Sequence, residues 1–353
     1  MGNSVLADGD RFDRVLPWIL GFVVVVFSAC APTPASRPVV ELGGPTMGAA
    51  WSVKVVAPAI TEQQQGSLQR TIQATVSGIE RLLSTWNPSS ELSRFNASSS
   101  LDPFPVAPET FEAFRLAVAL AAETGGAMDP TVGSLIDAWG FGADRSVETP
   151  DDATVERLRA DVGMTLVELD PAGAWVRKRR PGVRCSFSAF VPGWAADRIA
   201  AQLLTRGYTD FLIDVGGELV ARGRNGGGQP WQVAIERPQV DGRSVERIVA
   251  LDNVAISTSG DYRNFRDMAG VRLTHILDPR TGRPVAHALA SVSVLASEAV
   301  RADALSTALM VMGPEAAMAF ARARGLAVLL VFHTADGRLE ERRSPGFPEA
   351  GIP

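Results

Sequence analysis

The chain has 353 residues, of which 34 are basic and 39 acidic, so its formal net charge is −5 and its pI is near 5.4. Proteins that bind the phosphate backbone of nucleic acids carry a basic excess, and this balance therefore argues against a nucleic-acid partner. Two cysteines and three histidines are too few for a multi-Cys/His zinc site or a disulfide framework.

The first forty residues have the pattern of an export signal. Residues 15–27 (VLPWILGFVVVVF) form an apolar run that follows Arg11 and Arg14. The run is shorter than the roughly 20 residues that a membrane-spanning helix needs. A short apolar core after basic residues is typical of a secretory signal peptide.

The apolar run ends in Phe27-Ser28-Ala29-Cys30, which resembles a bacterial lipobox whose cysteine is lipidated and becomes the mature N-terminus. We therefore predict a signal peptide over residues 1–29, a tether over 30–39 that begins at lipidated Cys30, and a domain over 40–353. The expected location is outside the cytoplasm, anchored by lipid to a bacterial membrane, at the periplasmic face of the inner membrane. The alternative is an uncleaved anchor in which Cys30 is an ordinary cysteine.

Hydrophobic periodicity predicts the first elements of the domain. Trp51, Val53 and Val55 alternate with small or polar residues, as in a half-buried strand, and helical spacing begins at Ile72. Asp129-Pro130 has the pattern of an N-cap followed by proline at the first helical position. The predicted helices cover residues 72–83, 108–123, 130–139, 193–206, 298–312 and 315–324, with a further helix start at 149–152.

Strands dominate the second half of the chain. They are predicted at 165–169, 174–178, 183–187, 210–215, 219–222, 231–236, 247–251, 254–258, 273–277, 291–295 and 326–332. Strands with clustered rather than alternating helices favour an α+β fold with a largely antiparallel sheet. No linker follows the tether, so we expect residues 40–353 to form a single compact unit, with a bilobed arrangement left open.

A pair of oxygen-bearing side chains is the most informative chemical feature. Asp303 and Thr307 lie four residues apart in a predicted helix, which places them on one face about one turn apart. A carboxylate and a hydroxyl suit Mg²⁺ better than zinc. We expect Asp303 to face the surface. The alternative is an ordinary helix that carries an aspartate and a threonine.

Two further segments have candidate chemistry. His275 is flanked by polar turns and is the natural acid–base candidate, with a histidine hydrogen-bonded to backbone as the alternative. Residues 125–133 (GGAMDPTVG) lead glycines toward a predicted helix start, where backbone N–H groups favour anions. This segment matches neither a Walker A loop nor GxGxxG. Residues 214–218 (DVGGE) predict a glycine bend between two strands.

The order of these blocks resembles the ApbE family, the FAD:protein FMN transferases. The resemblance runs from about Thr46 to Phe332. It rests on Thr46-Met47-Gly48, Leu83-Ser84-Thr85-Trp86, Ser90-Glu91-Leu92-Ser93-Arg94-Phe95-Asn96, Gly126-Ala127-Met128-Asp129-Pro130-Thr131, Gly193-Trp194-Ala195-Ala196-Asp197, residues 214–218, Thr258-Ser259-Gly260-Asp261, residues 274–282 and residues 302–308.

The resemblance implies a reaction. FAD and Mg²⁺ would bind, the FMN half of FAD would move to a threonine hydroxyl of an exported electron-transfer protein, and AMP would leave. Asp303, Thr307 and the backbone carbonyl of Ala189 would hold the metal. His275 would take the proton from the acceptor threonine or help AMP to leave. By position, FAD contacts would come from Met47, Trp86, Ala127, Met128, Asp129 and Ile276.

The chain departs from the family pattern at two FAD-contact positions. Ser186 stands where an aspartate is usual, and Pro192 stands where lysine or glutamate is usual. Serine keeps a hydrogen-bonding group without the charge, whereas proline has neither a polar side chain nor an N–H. Two alternatives to transfer therefore stay open: a non-catalytic FAD carrier or scaffold, and a pyrophosphatase that converts FAD to FMN and AMP.

Overall fold

The computed structural model describes residues 36–143, 148–239, 242, 244–262, 265–268 and 271–349. The predicted signal peptide and Cys30 lie outside the described residues. From Ser36 onward, chain contacts form one compact unit. Among the residues described, no helix has both the length and the hydrophobicity needed to cross a bilayer.

The described residues form seventeen strands, and eight of them make up one central sheet. Their bounds are β1 Val39–Thr46, β2 Ala49–Val56, β3 Phe104–Pro105, β4 Val167–Leu169, β5 Trp175–Lys178, β6 Phe211–Val215, β7 Glu218–Arg222, β8 Trp231–Glu236, β9 Val245–Leu251, β10 Ala255–Gly260, β11 Phe265–Met268, β12 Val271–Thr274, β13 Leu277–Asp278, β14 Arg283–Pro284, β15 Leu289–Ala296, β16 Ala327–His333 and β17 Leu339–Arg343. The central sheet has the order β1-β2-β6-β7-β10-β15-β16-β17. All of its pairings are antiparallel.

Eight α-helices lie among the described residues. They are α1 Glu62–Leu83, α2 Glu91–Ala97, α3 Pro108–Glu123, α4 Gly133–Ala138, α5 Asp152–Arg159, α6 Val191–Thr205, α7 Ala299–Met312 and α8 Pro314–Ala323. The start of α1 has a full capping box between Thr61 and Gln64, and the side chain of Asp151 caps α5. The combination of eight helices with a mainly antiparallel sheet confirms the predicted α+β class.

The central sheet is covered on both faces. Alternate residues such as Val328 and Leu330 join a core shared with α1, α6 and α7, whereas Leu329 and Val331 pack with the β8–β9 hairpin. The first six residues of β15 are all buried, since this strand has apolar layers on both sides. The sheet is thus a rigid support, and α7 lies against it at β10 and β15.

The helix predicted at 72–83 is only the second half of α1, which begins at Glu62. Three other predicted elements differ from the structure. The helix expected at 130–139 begins only at Gly133, because the backbone before it pairs with residues 184–186. The carbonyl of Pro130 accepts the N–H of Ser186, and Val132 forms a bridge with Arg184. The strand expected at 183–187 is an extended segment with that single bridge. The strand expected at 273–277 is interrupted, since β12 ends at Thr274 and β13 begins at Leu277.

Candidate active site

Two adjoining clefts collect most of the predicted site residues. We call them the narrow cleft, of about 410 Å³, and the wide cleft, of about 920 Å³. Both are lined by Ile136, Ser186, Ser188 and His275, so the clefts meet at these side chains. Of the predicted residues, the narrow cleft also contains Ala127, Met128, Asp129, Ala189, Ile276, Asp303 and Thr307. The wide cleft also contains Trp86.

Helix α7 presents the two side chains predicted to bind the metal to the narrow cleft. Asp303 and Thr307 lie one helical turn apart and both line it. The Thr307 hydroxyl is 3.2 Å from the hydroxyl of Ser259 on β10, which is also 2.7 Å from that of Ser306. The expectation that Asp303 faces the surface is wrong, because only 5% of the residue is exposed and α7 is buried around it.

The buried carboxylate of Asp303 is held by the first turn of α6. Its Oδ2 accepts the backbone N–H of Gly193 at 3.0 Å. Gly193 has no side chain at the place where the two helices meet. A Cβ there would lie 2.4 Å from the carbonyl oxygen of Ala299 and 2.9 Å from the Cβ of Asp303.

This close approach leads to a test of stability. Gly193→Ala should lower the free energy of unfolding by roughly 1–3 kcal/mol, since backbone must move to admit the methyl group. Gly66→Ala is the matched control, because a Cβ in that part of α1 meets only the end of Arg70 at 3.4 Å. The control should gain about 0.5–1 kcal/mol. Denaturant unfolding measures both, and equal values for the two variants would contradict the packing described.

Two carboxyl groups, those of Asp303 and Glu218, lie close together at the narrow cleft. Burial raises the pKa of Asp303 well above its ordinary value, and the charge of Glu218 raises it further. Burial likewise raises the pKa of Glu218 to about 7, although the hydroxyl of Ser257 offsets part of that effect. Glu218 lines the narrow cleft at the start of β7. Such a concentration of carboxyl groups is the environment that a divalent cation would stabilise.

The pKa of Glu218 has a consequence for stability in chelator-treated protein. Between about pH 4.5 and 7 the folded state keeps a proton that the unfolded state has released. The free energy of unfolding should therefore fall as pH rises through this window, by at most about 3 kcal/mol from this residue. Glu218→Gln should reduce the fall between pH 5 and 8, measured by urea unfolding. The exposed Glu340→Gln should leave it unchanged, and an undiminished fall in Glu218→Gln would rule the assignment out.

Hydrogen bonds to Asn96 and Pro130 fix the segment before α6. Asn96 of α2 binds both the N–H and the carbonyl of Cys185, each at 2.8 Å. The next N–H, that of Ser186, donates to the carbonyl of Pro130 at 2.7 Å. The hydroxyl of Ser186 lies 3.1 Å from that of Ser188. These bonds hold the backbone that continues to Ala189, the predicted carbonyl ligand.

Asp129 has a structural role besides its place in the cleft. One carboxylate oxygen accepts the N–H of Thr131 at 2.9 Å, and the other accepts the N–H of Met164 at 3.1 Å. The preceding Gly125 and Gly126 have φ values of +62° and +79°, which favour glycine. The glycine-rich segment therefore supplies Ala127, Met128 and Asp129 to the narrow cleft as a loop rather than as a helix start.

His275 lies in the bend between β12 and β13 and lines both clefts. Its ring meets that of Phe141 edge to face, with centroids 6.4 Å apart. The following turn is the predicted one, since the carbonyl of Asp278 accepts the N–H of Gly282 at 2.8 Å. The position suits a group that exchanges a proton where the two clefts join.

The remaining predicted residues occupy different places. Trp86 is 58% exposed and lines the wide cleft, where its face is available to a planar ring. Met47 lies with Gly48 in the two-residue turn between β1 and β2, both at positive φ, and Pro192 lies in the first turn of α6. Neither Met47 nor Pro192 lines the narrow or the wide cleft, so their contact with FAD stays a prediction.

Sequence reasoning assigned no role to Glu218, Ser259 or Ser188, which all line the narrow cleft. Glu218 follows the predicted glycine bend, and Val215 pairs with it across Gly216-Gly217. An acidic residue directly after such a bend was the available signal. Its proximity to α7 depends on the pairing of β7 with β10, which has no local signature.

The candidate metal ligands are oxygen donors from two parts of the chain. They are one carboxylate, one hydroxyl and one backbone carbonyl, a donor set that suits a hard cation such as Mg²⁺. Within the described ranges, no three His, Cys, Asp or Glu side chains group to hold a metal ion. The buried Asp303 carboxylate beside Glu218 fits a bound cation on electrostatic grounds.

The ApbE family model matches residues 47–330. The chain belongs to the ApbE family. Among curated members, FAD:protein FMN transferase of Salmonella typhimurium is 40% identical over 330 residues, covering 92% of this chain and 94% of that protein. The enzyme of the same name from Klebsiella pneumoniae is 39% identical over 320 residues, covering 89% and 91%.

Solved structures of ApbE proteins share this fold. The structure titled flavin transferase ApbE from Vibrio cholerae is 38% identical, with a TM-score of 0.80, and the match covers 88% of this chain and 99% of that one. Pseudomonas stutzeri flavinyl transferase ApbE, in its apo form, is 33% identical with a TM-score of 0.78, covering 88% and 95%. The family match contains every predicted site residue, from Met47 to Thr307.

Proposed function

We propose that this chain is a Mg²⁺-dependent FAD:protein FMN transferase. It moves the FMN half of FAD to a threonine hydroxyl of an exported electron-transfer protein and releases AMP. The observation that carries the proposal is the presence of Asp303, Thr307, Ala189 and His275 around one narrow cleft. The names of the ApbE relatives support the transfer of FMN from FAD to a protein.

Each of the predicted site residues has a proposed role that suits its chemistry. Asp303, Thr307 and the carbonyl of Ala189 would hold the cation, which supplies neutralisation of the pyrophosphate charge. Trp86 would stack on a planar ring of FAD in the wide cleft. Ala127, Met128, Asp129 and Ile276 would form walls around FAD in the narrow cleft.

The transfer makes one bond and breaks one. The threonine oxygen forms a bond to the phosphorus on the FMN side, and the bond from that phosphorus to the bridging oxygen breaks. The hydroxyl proton leaves the threonine, and AMP departs with the bridging oxygen. His275 is the residue placed for this proton, either taking it from threonine or delivering it to AMP.

Ser186 and Pro192 favour a second candidate, an FAD carrier or scaffold without catalysis. A serine in place of the usual aspartate removes a charge from the place where the two clefts meet. The third candidate is hydrolysis of FAD to FMN and AMP, in which water takes the place of the acceptor threonine. In both, FAD binding is retained and transfer to protein is lost.

One assay separates these candidates. Purified protein is incubated with FAD, Mg²⁺ and a threonine-bearing acceptor protein, then flavin fluorescence is read in a denaturing gel and AMP is measured. A fluorescent acceptor band with AMP is the expected result, and an acceptor with threonine replaced by alanine is the control. AMP without labelled acceptor would indicate hydrolysis. Bound FAD with neither product would indicate the carrier.

Export and lipid anchoring belong to the proposal as well. Their support is the apolar run at 15–27 and Cys30 in the sequence, which lie outside the described residues. A lipid on Cys30 would place the transferase at a membrane face, where an exported acceptor protein is accessible. The predicted tether of 30–39 is too long at its end, since Arg37 forms an ion pair with Asp210 and β1 begins at Val39. The part of the tether before Ser36 would separate the domain from that surface.

A further inference from the structure

The N-terminus of α7 is capped from another helix. Glu298, at the cap position, makes no capping hydrogen bond through its side chain. Instead Asp197, on α6, accepts the N–H of Ala299 at 2.9 Å and that of Val300 at 2.8 Å, one with each carboxylate oxygen. A distant residue therefore supplies two of the acceptors that a helix start requires.

The same two helices are joined one turn further along. Gly193 and Asp197 are four residues apart on α6, and Ala299 and Asp303 are four residues apart on α7. The N–H of Gly193 donates to Asp303 at 3.0 Å. Three hydrogen bonds at two levels thus fix the axial register and rotation of α7 against α6.

That register determines the geometry of the candidate cation site. Ala189 lies two residues before α6, whereas Asp303 and Thr307 lie on α7. The three oxygen donors can meet one cation only when the two helices keep a defined relative position. Mg²⁺ tolerates little departure from octahedral geometry, so a small shift between the helices would weaken binding.

We propose that Asp197 is a positioning residue for the cation site. Both of its oxygens bind α7 amides, so it holds the site without being a ligand. This inference rests on the proposed function, since it requires that Asp303, Thr307 and Ala189 bind a cation. Loss of a residue that orients metal ligands typically weakens metal binding by about 10- to 100-fold.

The test measures Mn²⁺ binding to the full-length protein by electron paramagnetic resonance, with and without FAD. Asp197→Ala should weaken binding by about 10- to 100-fold. Asp197→Asn keeps one acceptor oxygen, so it should weaken Mn²⁺ binding measurably but less than Asp197→Ala does. Asp151→Ala is the matched control, because it removes an ordinary cap from α5. The control should bind Mn²⁺ as the unmodified protein does.

The outcomes are distinguishable. If the unmodified protein binds Mn²⁺ and both Asp197 variants bind it equally well, the positioning role is overturned while the cation site stands. A loss of the same size in Asp151→Ala would also overturn it, since any missing cap would then have the effect. If the unmodified protein binds no Mn²⁺, the proposed site fails and the inference fails with it. Where Asp197→Ala does not fold, Asp197→Asn decides.

Discussion

Replacement of Asp303 by asparagine is expected to abolish the Mg²⁺-dependent release of AMP from FAD while the protein stays folded. Asparagine keeps an oxygen that can accept the Gly193 N–H, so the contact between α6 and α7 survives. Burial and the charge of Glu218 raise the pKa of the Asp303 carboxyl, so its ionised form is unfavourable in the folded protein without a cation. Replacing this carboxyl by a neutral amide should therefore not lower the free energy of unfolding. The carboxylate as a cation ligand is lost.

The expected fall in turnover follows from the proposed role of the metal. Metal stabilisation of a phosphoryl transition state is worth several kcal/mol, which corresponds to a loss on the order of 10²- to 10³-fold or more. Asp336→Asn is the matched control, since it neutralises an exposed aspartate in the turn between β16 and β17. Product formation is measured as AMP at saturating FAD. Unchanged AMP release in Asp303→Asn would show that the metal assignment is wrong.

Replacement of His275 by alanine is expected to lower turnover more than it lowers FAD affinity. His275 lies where the two clefts meet, and in the proposed mechanism it exchanges the proton there. A positioned acid or base contributes about 10²- to 10⁴-fold to a rate. FAD affinity is measured by quenching of flavin fluorescence, and turnover by labelling of the acceptor protein.

The two other histidines provide the comparison for this variant. His333 is exposed at the end of β16, and His333→Ala should leave both quantities unchanged. The His287 ring nitrogen lies 2.7 Å from the carbonyl of Met310, so this residue belongs to the packing around α7. If His275→Ala weakened FAD binding and kept turnover at saturation, His275 would be a binding residue instead.

The elements with one strongly apolar face were predictable from the sequence. Helix α3 has the predicted bounds of 108 and 123, and the alternating residues of β2 are buried as expected. Edge strands β1 and β17 were missed. Each pairs on one side only, and β17 (LEERR) has no fully buried residue, so neither shows the periodicity of a covered strand.

The sequence could predict which of the candidate site residues share a helix face, but not what surrounds them. The four-residue spacing of Asp303 and Thr307 was enough to place them on one helix face, and α7 confirms it. Burial of Asp303 was not predictable, because it results from α6 lying against α7 at Gly193. The interrupted strand around His275 was also missed, since its local composition continues that of β12.

Asp129 shows a different limit of local reasoning. Its position before a proline favours a helix cap, yet its second oxygen binds Met164, which is 35 residues away. Its first oxygen does accept the N–H of Thr131, but Pro130 and Gly133 form backbone hydrogen bonds with residues 184–186, and the helix begins only at Gly133. Sequence patterns report local preferences, whereas here tertiary hydrogen bonds determine where the helix begins.

The central claim is that Asp303, Thr307 and the carbonyl of Ala189 hold a divalent cation against the pyrophosphate of FAD. Crystals grown with FAD and Mn²⁺ and measured for anomalous scattering test it most directly. We predict one strong peak about 2.0–2.3 Å from all three oxygen donors and from a phosphate oxygen of FAD. FAD bound in the clefts with no peak at this position, or a peak held by other residues, would contradict the claim.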